Sequence, residues 1–300
     1  MTDVEVLEVA GRSVGISKPG KVLFPAAAIT KFDLARYYRD MGATMLAHLQ
    51  GRPLTLRRFP DGLDAGGFYQ KEAPDYFPDW IERVEVETSD GSQLQVVVSE
   101  PATLVYLVDQ GTISVHRWLA RSPHLDQPDL MVFDLDPPDG DPGPVRRAAG
   151  WARSLLEEIG VQSWLMATGS RGFHVVVPLR TGPSFDRVRE VASGLADELA
   201  ARHPEALTTE VRKAKRQGRV FVDYLRNAYG QTVVAPYSVR PLPAAPVAFP
   251  LGWGELSGTA PDRHDLGSVR RRMGQKADPW EDLRAHAVAL DTLAGPLDGR

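Results

Sequence analysis

The sequence predicts a mixed α/β fold in which a small sheet is covered by helices. From residue 130 onward, apolar runs and amphipathic segments follow one another in the order strand, helix, hairpin, helix, strand. The chain has 300 residues, of which 43% are hydrophobic. That is enough for a substantial core in one large or two modest domains.

Upstream of residue 130, capping and turn residues predict the elements in order. Thr30 is a typical helix N-cap residue, and apolar residues after it recur three or four positions apart. Two alternating runs around Ser89-Asp90-Gly91 are typical of a hairpin. The predicted elements are two short strands within 4–17, a helix over 30–49, a hairpin over 83–100, a helix over 101–110 and a strand over 112–118.

Downstream, the apolar run Leu130–Phe133 predicts a buried strand, and the double proline at 137 and 138 limits it. Gly160 ends an amphipathic helix. The predicted elements are a strand from 130, a helix over 145–160, two strands around the turn 169–172, a helix over 184–202, a strand over 219–225, an ordered extended segment over 235–253, and closing helices over 262–275 and 279–293.

Composition excludes several kinds of site. Cysteine is absent, which excludes disulfides and thiolate metal sites and leaves oxygen or histidine ligands for any metal. The first residues lack the apolar core of a signal peptide, and no stretch reaches the roughly 18 apolar residues of a membrane span. We therefore expect a cytoplasmic protein with no membrane partner.

The net charge does not point to a nucleic-acid binder. It is −4, with a pI of about 6.0, but a whole-chain charge averages over all faces of a protein. Segment 210–219 is locally basic, and taken alone it is more typical of a solvated charged helix face than of a binding site. Its basic residues are Arg212, Lys213, Lys215, Arg216 and Arg219.

Two aspartates at the end of the predicted strand from residue 130 indicate a cation site. Residues i and i+2 of a strand share a face, so Asp134 and Asp136 point the same way. Two neighbouring carboxylates repel each other unless a proton or a cation lies between them. Asp223 also ends an apolar, β-branched run, and a third carboxylate would complete a two-metal site for phosphoryl transfer. The alternative is a strand-end turn in which the aspartates cap the next loop.

The turn Gly169-Ser170-Arg171-Gly172 predicts an anion-binding site. Two glycines leave backbone N–H groups free to bind an anion, and Ser170 and Arg171 add side-chain donors. His174 projects from the strand that follows. The alternatives are an ordinary hairpin turn and a core histidine.

A series of segments carries a resemblance to a known family. VFDLDPP, TGSRGFHVVVPL, RVFVDYLRN, GQTVVAPYSVRP and PVAFPLGW follow one another in this order, and KVLFPAAAITKFDLARYY, RRFPDG and FYQKEAPDYFPDW precede them. Together they resemble the polymerase domain of bacterial DNA ligase D, a member of the archaeo-eukaryotic primase superfamily. The resemblance covers nearly the whole chain. It implies a primase-like catalytic core with antiparallel or mixed sheets flanked by helices.

The resemblance also implies roles for single residues. The carboxylates Asp134, Asp136 and Asp223 match the residues that hold the catalytic metals in the family. Further matches concern the nucleotide: Ser170, His174, Arg171 and Arg240 for its phosphates, and His116 near its sugar.

Other matches concern DNA. Lys21 and Lys31 align with lysines that bind a downstream 5′-phosphate, and Lys18 replaces an asparagine that the family usually has there. A lysine is still a phosphate donor, so the pocket would survive with altered geometry. Phe68 and Tyr69 match residues that stack on template bases, with core packing as the alternative. Arg216 matches a loop arginine that engages the DNA terminus.

The activity that the resemblance implies is nucleotidyl transfer onto a primer 3′-hydroxyl with two divalent ions, Mn²⁺ or Mg²⁺. The substrates would be NTPs or dNTPs, with rNTPs preferred. The biological role would be repair of gapped or broken DNA in non-homologous end joining, at the nucleoid, with Ku and a DNA ligase as partners. No ligase lysine motif is present, so we expect a stand-alone polymerase or one excised domain.

The predicted organisation is a single primase-polymerase domain over 1–300. It divides into an N-terminal α/β part over about 1–115, a catalytic core over about 116–255 and a C-terminal helical segment over about 256–300.

Two other functions stay open at this point. A metal-dependent nuclease or phosphoesterase also uses clustered aspartates, but it needs no triphosphate-binding turn and releases nucleotides. A catalytically silent module that bridges DNA ends would bind triphosphate and Mn²⁺ weakly or not at all. The three aspartates argue against the bridging module.

Overall fold

The strands follow the alternating and apolar runs of the sequence. This computed structural model describes residues 3–298, without the side chains of 296–298, so residues 1, 2, 299 and 300 of the predicted domain lie outside the described residues. In chain order the strands are β1 (Val4–Val9), β2 (Arg12–Ser17), β3 (Val22–Phe24), β4 (Ile29–Thr30), β5 (Leu54–Arg58), β6 (Phe68–Gln70), β7 (Arg83–Thr88), β8 (Gly91–Val96), β9 (Thr112–Arg117), β10 (Ala120–Arg121), β11 (His124–Pro128), β12 (Leu130–Asp136), β13 (Trp164–Ala167), β14 (Phe173–Pro178), β15 (Leu207–Thr208), β16 (Val220–Asp223), β17 (Val233–Val234) and β18 (Phe249–Leu251).

Several helices begin at residues whose side chains cap them. Thr30 and Asp33 form a capping box at the first helix, and Ser184 caps the fourth. Within residues 3–298, none of the helices is long and apolar enough to cross a bilayer. In chain order the α-helices are α1 (Lys31–Leu49), α2 (Pro101–Asp109), α3 (Pro142–Glu158), α4 (Phe185–Arg202), α5 (Leu266–Met273) and α6 (Leu290–Asp298).

The chain divides into two units, each built from separate stretches of sequence. The first unit contains the described residues up to Trp118, Thr232–Ala248 and His264–Lys276. The second unit contains Leu119–Gln231, Phe249–Arg263 and the described residues from Ala277 onward. The predicted three-part division of one domain stays a prediction.

The first unit is built on a four-stranded antiparallel sheet with the strand order β17-β9-β5-β6. Three two-stranded ribbons, β1-β2, β3-β4 and β7-β8, complete its strands. Helices α1 and α2 pack against each other. The apolar spacing of α1 buries Tyr37, Tyr38 and Met45 almost completely.

The second unit is built on a six-stranded mixed sheet with the strand order β15-β16-β12-β14-β13-β18. Its pairs are antiparallel except β15 with β16. Helices α3 and α4 pack against β12, and α3 also packs against β14. Phe133 and Leu135 are buried, whereas Asp134 and Asp136 on the other face of β12 are half-buried. The predicted α/β class and the order of elements from residue 130 are confirmed.

Helix α3 starts earlier than predicted. It begins at Pro142, whereas the sequence predicted loop up to residue 144. Asp141 caps the helix by accepting a hydrogen bond from the Gly143 N–H. Proline is tolerated in the first helical turn because its missing N–H would have no partner there.

The predicted helix over 279–293 is wrong, because two elements share this range. A 3₁₀ turn, Leu283–His286, precedes α6. Between them, Val288 donates to the carbonyl oxygen of Pro178 and accepts from the Arg180 N–H. This pairing holds the backbone extended at Val288 and divides the helical segment.

The predicted extended segment over 235–253 contains a true strand at its end. Val239 and Val247 form an isolated bridge in the first unit. Phe249–Leu251 is the edge strand β18, with Pro250 paired to Met166. A proline is acceptable there because an edge strand needs donors on one side only.

Candidate active site

Three predicted site residues lie in one row across the sheet of the second unit. Asp134 on β12 is paired with His174 on β14 and with Asp223 on β16. Residues paired across adjacent strands project on the same face, so the two carboxylates and the imidazole are neighbours. The Nε2 atom of His174 lies 3.4 Å from an oxygen of Asp134. We call Asp223, Asp134 and His174 the carboxylate row.

Asp136 lies on the same face of β12 as Asp134, two residues beyond it. Two guanidinium groups contact its carboxylate. The Nη2 atom of Arg171 is 3.4 Å from one oxygen, and the Nη1 atom of Arg216 is 3.3 Å from the other. The Arg216 guanidinium also lies 3.8 Å above the ring of Phe221. The predicted turn and the predicted basic segment therefore both reach the site.

The other basic residues of segment 210–219 behave differently from Arg216. A 3₁₀ turn spans Lys213–Lys215. The predicted alternative, a charged face of an α-helix, is therefore wrong about the secondary structure. Arg212, Lys213 and Lys215 are exposed. Arg219 donates to backbone carbonyl oxygens at Arg216 and Pro204 and holds the segment together.

Arg226 places a positive charge between two carboxylates of the row. Its Nε atom is 3.5 Å from an oxygen of Asp223 and 3.8 Å from an oxygen of Asp134. It lies three residues after Asp223, in the 3₁₀ turn Leu225–Asn227. A cation in this position reduces the repulsion between the two carboxylates.

The pKa of Asp223 is raised above its ordinary value. The first cause is burial, which disfavours the charged form, and the second is the negative charge of Asp134. Arg226, the Leu225 N–H and Arg216 act in the opposite direction but do not cancel these effects. Burial and the neighbouring Asp134 therefore both disfavour the charged form of Asp223.

The turn between β13 and β14 is held close to β12. A Cβ atom at Gly172 would lie 2.1 Å from the carbonyl oxygen of Leu135, so only glycine fits. The N–H and hydroxyl groups of Thr168 both donate to the Gly172 carbonyl oxygen, at 3.1 Å and 2.9 Å. Ser170 is half-buried and Arg171 exposed in this turn. The contact of Arg171 with Asp136 joins the turn to the carboxylate site.

The side chains at this site suit a hard divalent cation. Asp134, Asp136 and Asp223 offer the carboxylate oxygens that Mg²⁺ and Mn²⁺ prefer. Within residues 3–298, no three His, Asp or Glu side chains are already grouped around one point as a metal centre requires. The Arg226 guanidinium nevertheless shows that a positive charge is accommodated between Asp134 and Asp223. The chemistry of these donors therefore suits a divalent ion, and Arg226 is the cation that contacts them in this structure.

In the first unit, predicted nucleotide and template residues meet on the four-stranded sheet. The rings of Tyr69 and His116 are in edge contact, with centroids 5.9 Å apart. The Arg57 guanidinium lies 5.4 Å from the centroid of the Tyr69 ring. Phe68 and Tyr69 are 49% and 60% exposed and line a groove of about 610 Å³. Core packing, the alternative for this pair, is therefore wrong.

The predicted 5′-phosphate lysines are brought together by backbone hydrogen bonds. The Lys21 N–H donates to the Lys18 carbonyl oxygen, and the Lys31 N–H donates to that of Lys21. Lys18 is exposed and has a φ of +49°. We call Lys18, Lys21 and Lys31 the lysine pocket.

Two of these lysines already have acidic partners. Lys21 Nζ is 2.9 Å from an oxygen of the exposed Asp61. Lys31 is buried, and its Nζ donates to the carboxylate and carbonyl oxygens of Asp109, at 3.1 Å and 2.8 Å, and to the Ser17 hydroxyl at 3.2 Å. An ammonium group has three donors, so those of Lys31 are all in use.

A family model decides the identity of the fold. The model for the LigD primase-polymerase domain matches residues 30–280. The chain belongs to this family. The resemblance predicted from the sequence is confirmed, and so is the primase-polymerase class of nucleotidyltransferase.

Relatives of this LigD-type chain agree with that assignment. The multifunctional non-homologous end joining DNA repair protein LigD of Mycobacterium tuberculosis is 32% identical over 289 residues, or 93% of this chain and 38% of that protein. LigD of Pseudomonas aeruginosa is 33% identical over 280 residues, or 91% of this chain and 33% of that protein. The chain therefore spans between a third and two fifths of the length of these relatives.

A solved structure of the same family has a similar backbone. The polymerase domain from Mycobacterium tuberculosis ligase D in complex with DNA has a TM-score of 0.85 and 31% identity, and the match covers 91% of this chain and 99% of that chain. Nucleotidyltransferases of this class use divalent metal ions and nucleoside triphosphates in general. The roles of the individual site residues in this LigD-type chain stay predictions.

Two residues of the LigD-type site were not predicted from the sequence. Arg226 was detectable in principle, because it follows Asp223 at the i+3 spacing of an ion pair within one turn. Arg57 was detectable by alternation, since it lies two residues after Thr55, which is paired with His116. Neither signal is specific without knowledge of the strand register.

Proposed function

We propose that this chain is a DNA repair polymerase that extends a primer 3′-hydroxyl at gaps and broken ends, with ribonucleotides preferred. The observation that carries the proposal is the register of β12, β14 and β16, which aligns Asp223, Asp134 and His174 in one row. Asp136 lies beside them, and its partner Arg171 belongs to the Gly-rich turn. Carboxylates next to phosphate-binding groups are what nucleotidyl transfer requires.

The carboxylates would hold two divalent ions, Mn²⁺ or Mg²⁺. When bound, these ions supply Lewis-acid activation of the primer hydroxyl and neutralise charge on the triphosphate. Arg226 contacts one oxygen of Asp134 and one of Asp223, so we expect it to give up these contacts in the metal-bound enzyme. The raised pKa of Asp223 supports this role, because added positive charge would lower that pKa and keep the carboxylate ionised.

Ser170, Arg171 and His174 would bind nucleotide phosphates, and Arg240 is proposed as a further phosphate contact. His116 would contact the sugar. Gly172 supports the first part of this assignment, because the absence of a side chain there lets the turn approach β12.

DNA would be bound by three further sets of residues. The exposed rings of Phe68 and Tyr69 suit stacking on template bases, which contributes about 1–3 kcal/mol per base. Arg216 would engage the DNA terminus. The lysine pocket would bind a downstream 5′-phosphate, with Lys18 as its most accessible donor because Lys21 and Lys31 have partners.

The biological setting we propose is non-homologous end joining in the cytoplasm, at the nucleoid. The relatives named for this process are longer than the present chain, so Ku and a DNA ligase are proposed as separate partners or as further parts of a larger protein.

Primer extension on a gapped duplex tests the proposal. A labelled primer is extended in the presence of Mn²⁺. One comparison is between rNTPs and dNTPs, and the other is between gaps that carry a 5′-phosphate and gaps that carry a 5′-hydroxyl. We expect faster extension with rNTPs and with the 5′-phosphate. Asp139→Asn is the control, because Asp139 is an exposed acid three residues after Asp136 and outside the row.

Other results would change the proposal in defined ways. Extension that ignores the 5′-phosphate would keep the polymerase and remove the lysine pocket. Shortening of the primer would indicate a nuclease. Retained DNA binding without extension would indicate an end-bridging module.

A further inference from the structure

A buried hydrogen-bond cluster in the first unit joins the segment that carries Arg240 to the strand that carries His116. β17 is paired with β9, with Val234 opposite His116. After β17 the chain turns at Ala235–Ser238 and returns to β9, and Arg240 follows two residues later. The joining groups are side-chain hydroxyls as well as backbone atoms.

Val115 is the neighbour of His116 in β9, and both its N–H and its carbonyl oxygen are hydrogen-bonded to this turn. Its carbonyl oxygen accepts from the Ala235 N–H at 3.0 Å. Its N–H donates to the Ser238 hydroxyl oxygen at 2.8 Å. The Ser238 hydroxyl takes the place of a backbone acceptor for the Val115 N–H. The hydrogen bonds between this segment and β9 therefore extend beyond the end of β17.

Tyr38 makes a second connection between the same two segments. Its hydroxyl donates to the carbonyl oxygen of Ile113 on β9 at 2.8 Å and accepts from the Val239 N–H at 3.1 Å. The Ser238 hydroxyl lies 3.5 Å from it. Tyr38 is 1% exposed and Ser238 is fully buried. In an enclosed site these bonds have no competing water, and each loss leaves an unsatisfied buried group.

The turn itself has an unusual residue at its third position. Ser238 N–H bonds back to the Ala235 carbonyl oxygen at 3.1 Å, and Tyr237 has a φ of +65° although it is not glycine. A type II turn needs positive φ there, which a bulky residue adopts only when its surroundings enforce it. Strained backbone of this kind is found where a precise direction of the following chain is required.

We propose that the hydroxyl groups of Tyr38 and Ser238 are positioning groups for the incoming nucleotide, because they fix the direction of Arg240 relative to His116. The inference rests on the proposed function, in which Arg240 and His116 contact the nucleotide. Neither hydroxyl touches substrate. They act through the backbone at Val115, Val239 and Ile113.

The protonation state of Tyr38 agrees with this role. Burial raises the pKa of its hydroxyl to about 12. The phenol therefore keeps its proton through the ordinary assay range, and the positioning effect is independent of pH there.

Two variants of the 300-residue chain, Tyr38→Phe and Ser238→Ala, remove the hydroxyls with little change in shape. We expect the KM for rNTP in primer extension to rise about tenfold, with kcat changed less than about twofold, because the affected contacts bind ground and transition states alike. The dissociation constant of the rNTP with Mn²⁺, measured by calorimetry without primer, is expected to rise by a similar factor.

Tyr37→Phe is the matched control. Tyr37 lies beside Tyr38 on α1, is fully buried, and donates a 2.8 Å bond to the carbonyl oxygen of Tyr237 in the turn, whereas Tyr38 bonds to β9. We expect this variant to lower Tm as Tyr38→Phe does while leaving KM within about twofold of wild type. Equal KM shifts in the two tyrosine variants would overturn the proposal, because general loosening of the turn would then explain both.

A combined variant separates indirect from direct action. When His116 and Arg240 are both replaced by alanine, adding Tyr38→Phe is expected to change the nucleotide dissociation constant less than about twofold. If Tyr38→Phe still raised the nucleotide dissociation constant about tenfold in this background, Tyr38 would not act through His116 and Arg240. If Tyr38→Phe does not fold, judged by circular dichroism, Ser238→Ala gives the same test. Failure of the wild-type chain to bind or use rNTP would instead refute the proposed function.

Discussion

The carboxylate row and the lysine pocket are both charged sites, yet they hold their charges differently. In the row and at Asp136, guanidinium groups lie 3.3–3.8 Å from the carboxylate oxygens. In the lysine pocket, the buried Lys31 has three bonds of 2.8–3.2 Å to fixed acceptors. Long, half-exposed contacts exchange readily, whereas short buried ones do not.

This difference separates charge that is available for a ligand from charge that is used by the fold. Arg226 is 42% exposed, so its guanidinium can be hydrated when it leaves, but the Asp223 side chain is only 12% exposed and then needs another cation, such as a metal ion. Lys31 is 8% exposed at its side chain, and moving it would leave the Asp109 carboxylate buried without its cation. Residue type and motif alone do not distinguish these two cases.

The largest expected effect is at the row. Asp134→Asn keeps the shape of the side chain but removes the charge that would hold a divalent ion. We expect primer extension to fall about 10³-fold or more, because metal activation contributes several kcal/mol to the transition state. Gel-shift binding of the gapped duplex should stay within a few-fold of wild type. Asp139→Asn, as the control, should extend normally, and an active Asp134→Asn enzyme would remove Asp134 from catalysis.

The next effect is on stability, at the lysine pocket. Lys31→Met removes one partner of a buried ion pair, and urea unfolding should show a loss of about 3–5 kcal/mol. Lys21→Met, whose partner Asp61 is exposed, should change unfolding little. Adding Asp109→Asn to Lys31→Met should recover much of the loss, because asparagine removes the unpaired charge and keeps an acceptor for the Ser17 N–H. Equal losses of unfolding free energy in Lys31→Met and Lys21→Met would show that the buried ion pair of Lys31 is not needed for the fold.

A smaller effect concerns Asp223 and pH. Its raised pKa means that the folded state keeps this proton to higher pH than the unfolded state. The stability from the proton is fully present below the ordinary pKa of 3.8 and is lost as pH rises through the folded pKa. Asp223→Asn should therefore raise Tm at pH 7 by about 2 °C and abolish extension, with the gain in Tm shrinking in acid. A lower Tm at pH 7 would show that Asp223 stabilises the fold.

The smallest effect is expected at Lys18. It is exposed, so Lys18→Asn should not affect folding, and asparagine also tolerates its φ of +49°. We expect the preference for 5′-phosphate over 5′-hydroxyl in gapped-duplex binding to fall about threefold, as for one exposed phosphate contact. Lys276→Ala, also exposed in the first unit, serves as the control. An unchanged preference would exclude Lys18 from the pocket.

Sequence patterns predicted best those parts of the site that lie on regular strands. The apolar run before Asp134 and the one before Asp223 fixed two strand ends, and alternation placed Asp136 on the face of Asp134. The pairing of Asp134 with both His174 and Asp223 was not predicted, because the order of the three strands along the chain does not show which strands are neighbours in the sheet.

Parts that depend on distant partners were not predictable. Asp109 is 78 residues from Lys31, and no local pattern joins them. The break at Val288 depends on pairing with Pro178 and Arg180, which compete successfully with local helix propensity. The 610 Å³ groove beside Phe68 is lined by residues 68–75 together with Gln93, which comes from a separate hairpin.

Asn227 has a consequence for the solution behaviour of the protein. The antiparallel register would place residue 225 opposite Val132, but the chain has already turned away. Instead, the Asn227 carboxamide accepts from the Val132 N–H at 2.8 Å and donates to its carbonyl oxygen at 2.7 Å. One buried amide side chain thus takes the place of a neighbouring strand at this point, and its loss would leave both Val132 backbone groups without a partner in the core and lower the stability of the folded protein in solution.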